Sequence, residues 1–134
     1  MLYRAMTPAT DGLPLVGRSK RQLGVVIPGG VSTPDVAPDA AGAVRPETGG
    51  MSVATGTVWN IRTHRRPRGM GKGSTGYAID RVYAIDPGDV TRRPLGIRVT
   101  SPIHSLVEPA RPTDLASYEG ALAATRPDWQ QVWP

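Results

Sequence analysis

The stretch Val44-Arg45-Pro46-Glu47-Thr48-Gly49-Gly50-Met51-Ser52-Val53 decides how the chain is read. Pro46 fixes its own φ and drives Arg45 toward extended geometry, while Gly49 and Gly50 permit backbone angles and close approaches that a side chain would forbid. The chain is therefore expected to turn tightly and enter a strand at Met51. The alternation Met51, Ser52, Val53 then sends one side chain to a core and the next to a cleft, where a ligand reaches Ser52. A hairpin or loop end, in which the two glycines supply only turn geometry, fits the same letters.

Composition bounds what such a strand belongs to. A chain of 134 residues makes about one domain with a single modest core. Glycine and proline together number 30, which predicts long loops, and no internal repeat or biased tract is present. Phe is absent, so the core falls to Val, Leu, Ile and Ala with a few Tyr, Trp and Met. The absence of cysteine excludes a disulfide, a thiolate nucleophile and a Cys-based zinc site. Met1 to Pro8 does not read as a signal peptide, and nowhere do about eighteen apolar residues run together. The expectation is a chain made in the cytoplasm with no membrane association, which leaves its cell only if a secretion system delivers it.

The formal charge is +5, and 14 of the 16 basic residues are arginine. The planar guanidinium fork grips phosphates and carboxylates at two points, so an anionic ligand or partner is one expectation. A GC-rich genome, which favours arginine over lysine, accounts for the same count.

Taken in order, Leu2 to Ala5 reads as a first strand with Leu2 and Arg4 on one face. Arg4 is unusual there, fitting either an edge strand in water or a cleft that holds an anion. Gly17 to Arg21 is a basic loop, Leu23 to Ile27 a second strand, and Gly29 to Gly50 an extended loop set by proline. Val53 to Ile61 continues as an irregular strand or short helix, with Trp59 packed. Arg62-Thr63-His64-Arg65-Arg66-Pro67-Arg68 gathers four arginines and one histidine. Gly69 to Gly76 lacks the Gly-Lys-Ser/Thr order of a phosphate-binding P-loop, because Gly73 follows Lys72, and reads as a flap or a solvated loop.

Tyr77 to Ile85 reads as a strand ending in a turn at Asp86 to Asp89, followed by strands at Leu95 to Thr100 and Ile103 to Glu108. His104, Leu106 and Glu108 share one face of the last of these. Thr113 is the expected N-cap of a helix running to about Ala124, with Leu115, Tyr118 and Leu122 at helical spacing. Trp129 and Trp133 are expected to cover the core.

Arg4, Ser52 and Glu108 thus stand as polar residues where apolar ones would have served. The order Leu2-Tyr3-Arg4-Ala5, Arg45-Pro46-Glu47-Thr48-Gly49-Gly50-Met51-Ser52-Val53, His64-Arg65-Arg66-Pro67 and Val107-Glu108-Pro109-Ala110-Arg111-Pro112 resembles the ADP-ribosyltransferase-like toxins typified by a type VI secretion exported effector. The resemblance spans nearly the whole chain. It implies an α+β fold with a split, bent mixed sheet, few helices and long loops. It also implies an NAD cleft between two small sheets, delivery into a target-cell cytoplasm, and a cognate immunity protein as partner.

By position, the arginine, serine and glutamate of the wider class correspond to Arg4, Ser52 and Glu108. Gly50, Arg65 and Arg66 join Arg4 and Ser52 as expected NAD contacts. Met51 and Val53 flank Ser52 in place of a Ser-Thr-Ser triplet, and Leu106 sits two residues before Glu108, so the acceptor stays open.

Chemistry fits those residue types. Cleaving the nicotinamide–ribose bond builds positive charge on the sugar, which a carboxylate such as Glu108 stabilises when water is excluded. Arg4 and the Arg65 to Arg68 run suit a pyrophosphate, and Ser52 would orient Glu108 or the ribose. No group of metal ligands is evident in the sequence, so no metal is expected. His64 reads as a loop residue and His104 as a satisfied structural histidine. Three functions remain open: an NAD-dependent ADP-ribosyltransferase or glycohydrolase toxin, a basic nucleic-acid-binding or nuclease toxin using His64 or His104, and an inactive interaction domain.

Overall fold

The computed structural model describes residues Met1–Pro134. Leu2, Arg4 and Met6 are buried on one side of the first strand, β1 (Leu2–Met6), which lies near the middle of the molecule. The following elements are β2 (Ala43–Val44), β3 (Met51–Thr55), β4 (Arg81–Ile85), α1 (Pro87–Thr91), β5 (Leu95–Ser101) and β6 (His104–Pro109). The chain ends with β7 (Thr113–Asp114), α2 (Leu115–Ala124) and β8 (Gln130–Trp133). Six strands form one sheet in the order β5-β6-β3-β1-β4-β8, β2 pairs with β7, and every one of these ladders is antiparallel. The class is α+β, with only two α-helices.

Period-two alternation divides the side chains between two cores. Leu2, Met6, Met51, Val53, Tyr83, Ile85 and Val107 face the larger one, which α2 covers with Tyr118 and Leu122. The other face carries a small cluster of Ala54, Ile61, Met70 and Val82, against which Tyr3 and Trp133 pack. The buried hydroxyl of Tyr118 fastens α2 to the sheet. It donates to the Val107 carbonyl at 2.6 Å and accepts from the Met51 N–H at 3.2 Å, and burial pushes its pKa up.

Several expectations change. Leu23 to Ile27 forms no strand, although Leu23, Val25 and Val26 are buried. The N–H of Val26 donates to the Asp35 carboxylate and its carbonyl accepts from the Asp35 N–H, which replaces a ladder. The strand expected from Tyr77 begins only at Arg81, because Tyr77 to Asp80 make a turn held by Asp80 on Thr7 and Arg21. The turn at Asp86 is instead the N-cap of α1, with Pro87 in its first turn. Asp114, not Thr113, caps α2 through the Ser117 N–H. The two terminal tryptophans part company, Trp129 in the larger core and Trp133 on the small cluster. Trp59, expected to pack, lies on a 3-10 turn (Val58–Asn60) and is 54% exposed.

Candidate functional site

The middle ladder of the sheet is its shortest. β1 pairs with β4 over all five residues from Leu2 to Met6, but with β3 only at Leu2↔Thr55 and Tyr3↔Ala54. Beyond Tyr3 the halves β5-β6-β3 and β1-β4-β8 share no ladder, so their facing backbone groups need other partners.

Arg4 supplies them. Its guanidinium donates across the gap to the Ser52 carbonyl at 2.7 Å, to the Gln22 carbonyl at 3.2 and 2.9 Å, and to the Ser19 carbonyl at 3.4 Å. The Ser19 to Gln22 segment that offers these carbonyls is itself anchored. Lys20 pairs with Asp35, and Arg21 holds Asp80 at two points, both 2.8 Å. Burial, aided by the neighbouring charge of Arg65, lowers the Arg4 pKa to about 10, so the group stays cationic at neutral pH. Arg4 and Ser52 therefore do meet, but through the serine's carbonyl rather than its hydroxyl.

The gap opens into a cavity of about 370 Å³, within the range of small-molecule sites. Register explains its floor. Tyr3 lies opposite Ala54, Ser52 opposite Leu106 and Ala54 opposite His104, so Tyr3, Ala5, Ser52, Ala54 and His104 share one face, and all five line the cavity. Four cations complete it, Arg4, Lys20, Arg62 and Arg65, together with His64, and no carboxylate lines it. Lys20 and Arg4 already have partners, whereas Arg62 and Arg65 form no salt bridge. His104 contacts the Thr100 hydroxyl through Nδ1 at 2.6 Å, and burial with the charge of Arg62 lowers its pKa, which keeps the ring neutral at pH 7.

Glu108 stands elsewhere. It shares the face of Ser52 but lies two residues past Leu106, a diagonal separation of about 7–8 Å between backbones, and it does not line the cavity. Its Oε2 accepts from the Glu47 N–H at 2.8 Å and from Arg98 Nε at 3.1 Å, leaving Oε1 outside both bonds. The loop before β3 closes over it, with Glu47 in a left-handed conformation at φ 66. Gly50 is required here. A Cβ on it would lie 2.5 Å from the Val107 carbonyl, so the backbone approaches β6 closely here.

Of the expected site residues, the fold thus brings together Arg4, Ser52 and Arg65. Glu108 and Gly50 sit at the closed end of the same strands. Arg66 does not line the cavity, and its guanidinium lies 5.4 Å from the centroid of the Trp59 ring. His64, His104, Lys20, Asn60 and Arg62 line the cavity without having been expected there. The run Arg62 to Arg68 carried a signal for the arginines and His64, while His104 needed the strand register. The chain matches no known protein family, and no curated protein matches it.

Proposed function

We propose that this domain binds NAD in the cationic cavity and cleaves the bond between nicotinamide and ribose, passing ADP-ribose to an acceptor or to water. The observation that carries this reading is the gap between β1 and β3, which Arg4 and Ser52 span and which opens on the unpaired Arg62 and Arg65 without a carboxylate. A pyrophosphate dianion suits two free guanidinium groups in such a lining. The gap also fits the split sheet of an ADP-ribosyltransferase-like toxin, whose cognate immunity protein and delivery by a secretion system belong to the same proposal.

In this reading Arg65 and Arg62 hold the pyrophosphate, and Arg4 keeps the two half-sheets at the separation the cavity needs. Ser52 presents its hydroxyl from the cavity floor. The nicotinamide ribose extends out of the cavity past Ser52 to Glu108, whose Oε1, the oxygen outside its bonds to Glu47 and Arg98, accepts a ribose hydroxyl and stabilises the positive charge that grows on the sugar. Arg98 and the Glu47 N–H keep that carboxylate oriented.

The test is nicotinamide release from labelled NAD by the purified chain, beside Arg65→Ala and Glu108→Gln. Release that falls at least about tenfold in each variant, with the fold intact by circular dichroism, supports the reading. NAD left intact by the unaltered chain, with and without cell lysate, sinks it. A second reading, phosphodiester cleavage, is favoured by one observation, that His64 and His104 line the same cationic cavity. RNA shortened by the chain and spared by His104→Ala would select it.

A further inference from the structure

The excess charge of this protein is concentrated in one segment. Between Glu47 and Asp80 there are five cations, Arg62, Arg65, Arg66, Arg68 and Lys72, and no carboxylate. They account for the whole formal charge of +5, since the other eleven basic residues are matched by the eleven acidic ones. One pyrophosphate in the cavity occupies Arg62 and Arg65 and leaves Arg66, Arg68 and Lys72 unexplained.

The same segment carries two aromatic rings in water. Trp59 is 54% exposed and Tyr77 is 60% exposed, in a chain with only seven aromatic residues. Neither ring is a loose appendage. Trp59 is fixed by the capped 3-10 turn and by the approach of Gly71, where a Cβ would lie 2.8 Å from the indole. Arg66 stands over its ring. Tyr77 carries the Arg21 guanidinium 3.4 Å from its ring centroid, and Arg21 is locked in turn by Asp80.

Position ties both rings to the cavity. Asn60, next to Trp59, lines it, and a small second hollow containing Tyr77 shares His64, Arg65 and Ala5 with it. Lys72 adjoins Gly71 at the edge of Trp59. Exposed, immobilised rings among unpaired cations make a stacking platform beside an electrostatic track, the combination that binds single-stranded nucleic acid.

We propose that this face binds single-stranded nucleic acid, with phosphates on Arg66, Arg68 and Lys72 and bases stacked on Trp59 and Tyr77, and that the bound strand is the acceptor of ADP-ribose. The acceptor assignment rests on the NAD reading above; the binding surface does not. In the transfer, the bond from the ribose C1′ to nicotinamide breaks with its electron pair leaving on nicotinamide. A hydroxyl, amino or ring-nitrogen group of the strand bonds to C1′, and its proton passes to Glu108 or to water.

The experiment measures fluorescence anisotropy of labelled 12-nucleotide RNA, the matching DNA strand and the DNA duplex at several salt concentrations. In parallel, radiolabelled NAD is incubated with the chain and each unlabelled strand. Binding is expected to favour single strands over duplex, with a slope of log affinity against log salt of about −2 for the three named cations. Trp59→Ala is expected to weaken it by about 5- to 100-fold, while Val31→Ala, at a fully exposed position in another loop, leaves it unchanged. Label is expected on the strand, and the RNA and DNA arms say which strand accepts it.

Equal affinity for duplex and single strand, or affinity untouched by both Trp59→Ala and Tyr77→Ala in folded protein, overturns the stacking surface. Nicotinamide release without label on either strand overturns the acceptor and leaves the NAD reading standing. Ring-dependent strand binding with NAD intact overturns the acceptor and the NAD reading together, and leaves the surface standing. RNA shortened instead of labelled overturns the acceptor in favour of cleavage.

Discussion

At the His104 end of the paired strands β3 and β6 the sheet faces an open cavity in which Arg62 and Arg65 have no acid partner. At the Glu108 end, about 13 Å further along the strand, Gly50 lies against the Val107 carbonyl and the Glu47 N–H closes on the carboxylate. Arg4 and Arg65 repeat the contrast at the scale of one residue type. Arg4 is buried and fully engaged by three backbone carbonyls, so its charge serves the joint between the half-sheets. Arg65 lines the same cavity with its charge unspent. Residue type alone therefore does not separate a ligand-binding arginine from a structural one; the partners already in place do.

The largest expected effect strikes the closed side of this contrast. Arg4→Ala removes the donors of the Ser52, Gln22 and Ser19 carbonyls and is predicted to cost about 3 kcal/mol or more, measured as a shift in urea unfolding. Arg65→Ala should stay within about 0.5 kcal/mol in the same assay while losing NAD-dependent activity. Equal stability losses would erase the distinction drawn between the two arginines.

Gly50→Ala should destabilise by about 1–3 kcal/mol, because backbone and not a flexible side chain meets its Cβ. Gly30→Ala, where a Cβ has open space, is the control and should change little. Glu108→Ala should cost about 1–2 kcal/mol through the lost bonds to Glu47 and Arg98. A midpoint unmoved by this substitution would show that the closed end is not held by the carboxylate.

The smallest effect concerns His104, whose pKa is lowered by burial and by Arg62. The unfolded chain takes up this proton first as pH falls, so the associated stability is full above the ordinary value of about 6.5 and is lost as pH falls through the folded value. His104→Gln should flatten the fall in thermal midpoint between about pH 7 and pH 5 relative to the unaltered chain. An identical slope in both proteins would remove His104 from the groups that sense pH.

Much of the framework was legible in the letters. Alternation placed β1, β3, β5 and β6, spacing placed α2, and the Gly49-Gly50 pair announced a close backbone approach, because these signals are carried by neighbours in the chain. The same alternation put His104, Leu106 and Glu108 on one face. What it did not show was which end of that face was open, since that depends on residues remote in sequence: Glu47 and Arg98 on Glu108, Ser19 and Gln22 on Arg4.

The sequence by itself determined the strands β1, β3, β5 and β6 and the helix α2, the absence of cysteine chemistry and the concentration of positive charge after Glu47. Only the tertiary structure decided that Arg4 is occupied and Arg65 free, that Glu108 stands beyond the cavity, and that Trp59 and Tyr77 are held in water beside the arginines. The physical reason is that a charge or a ring becomes a site only where folding leaves it unpaired. Pairing here is settled by contacts between segments that lie up to 115 positions apart, as between Asp11 and Arg126.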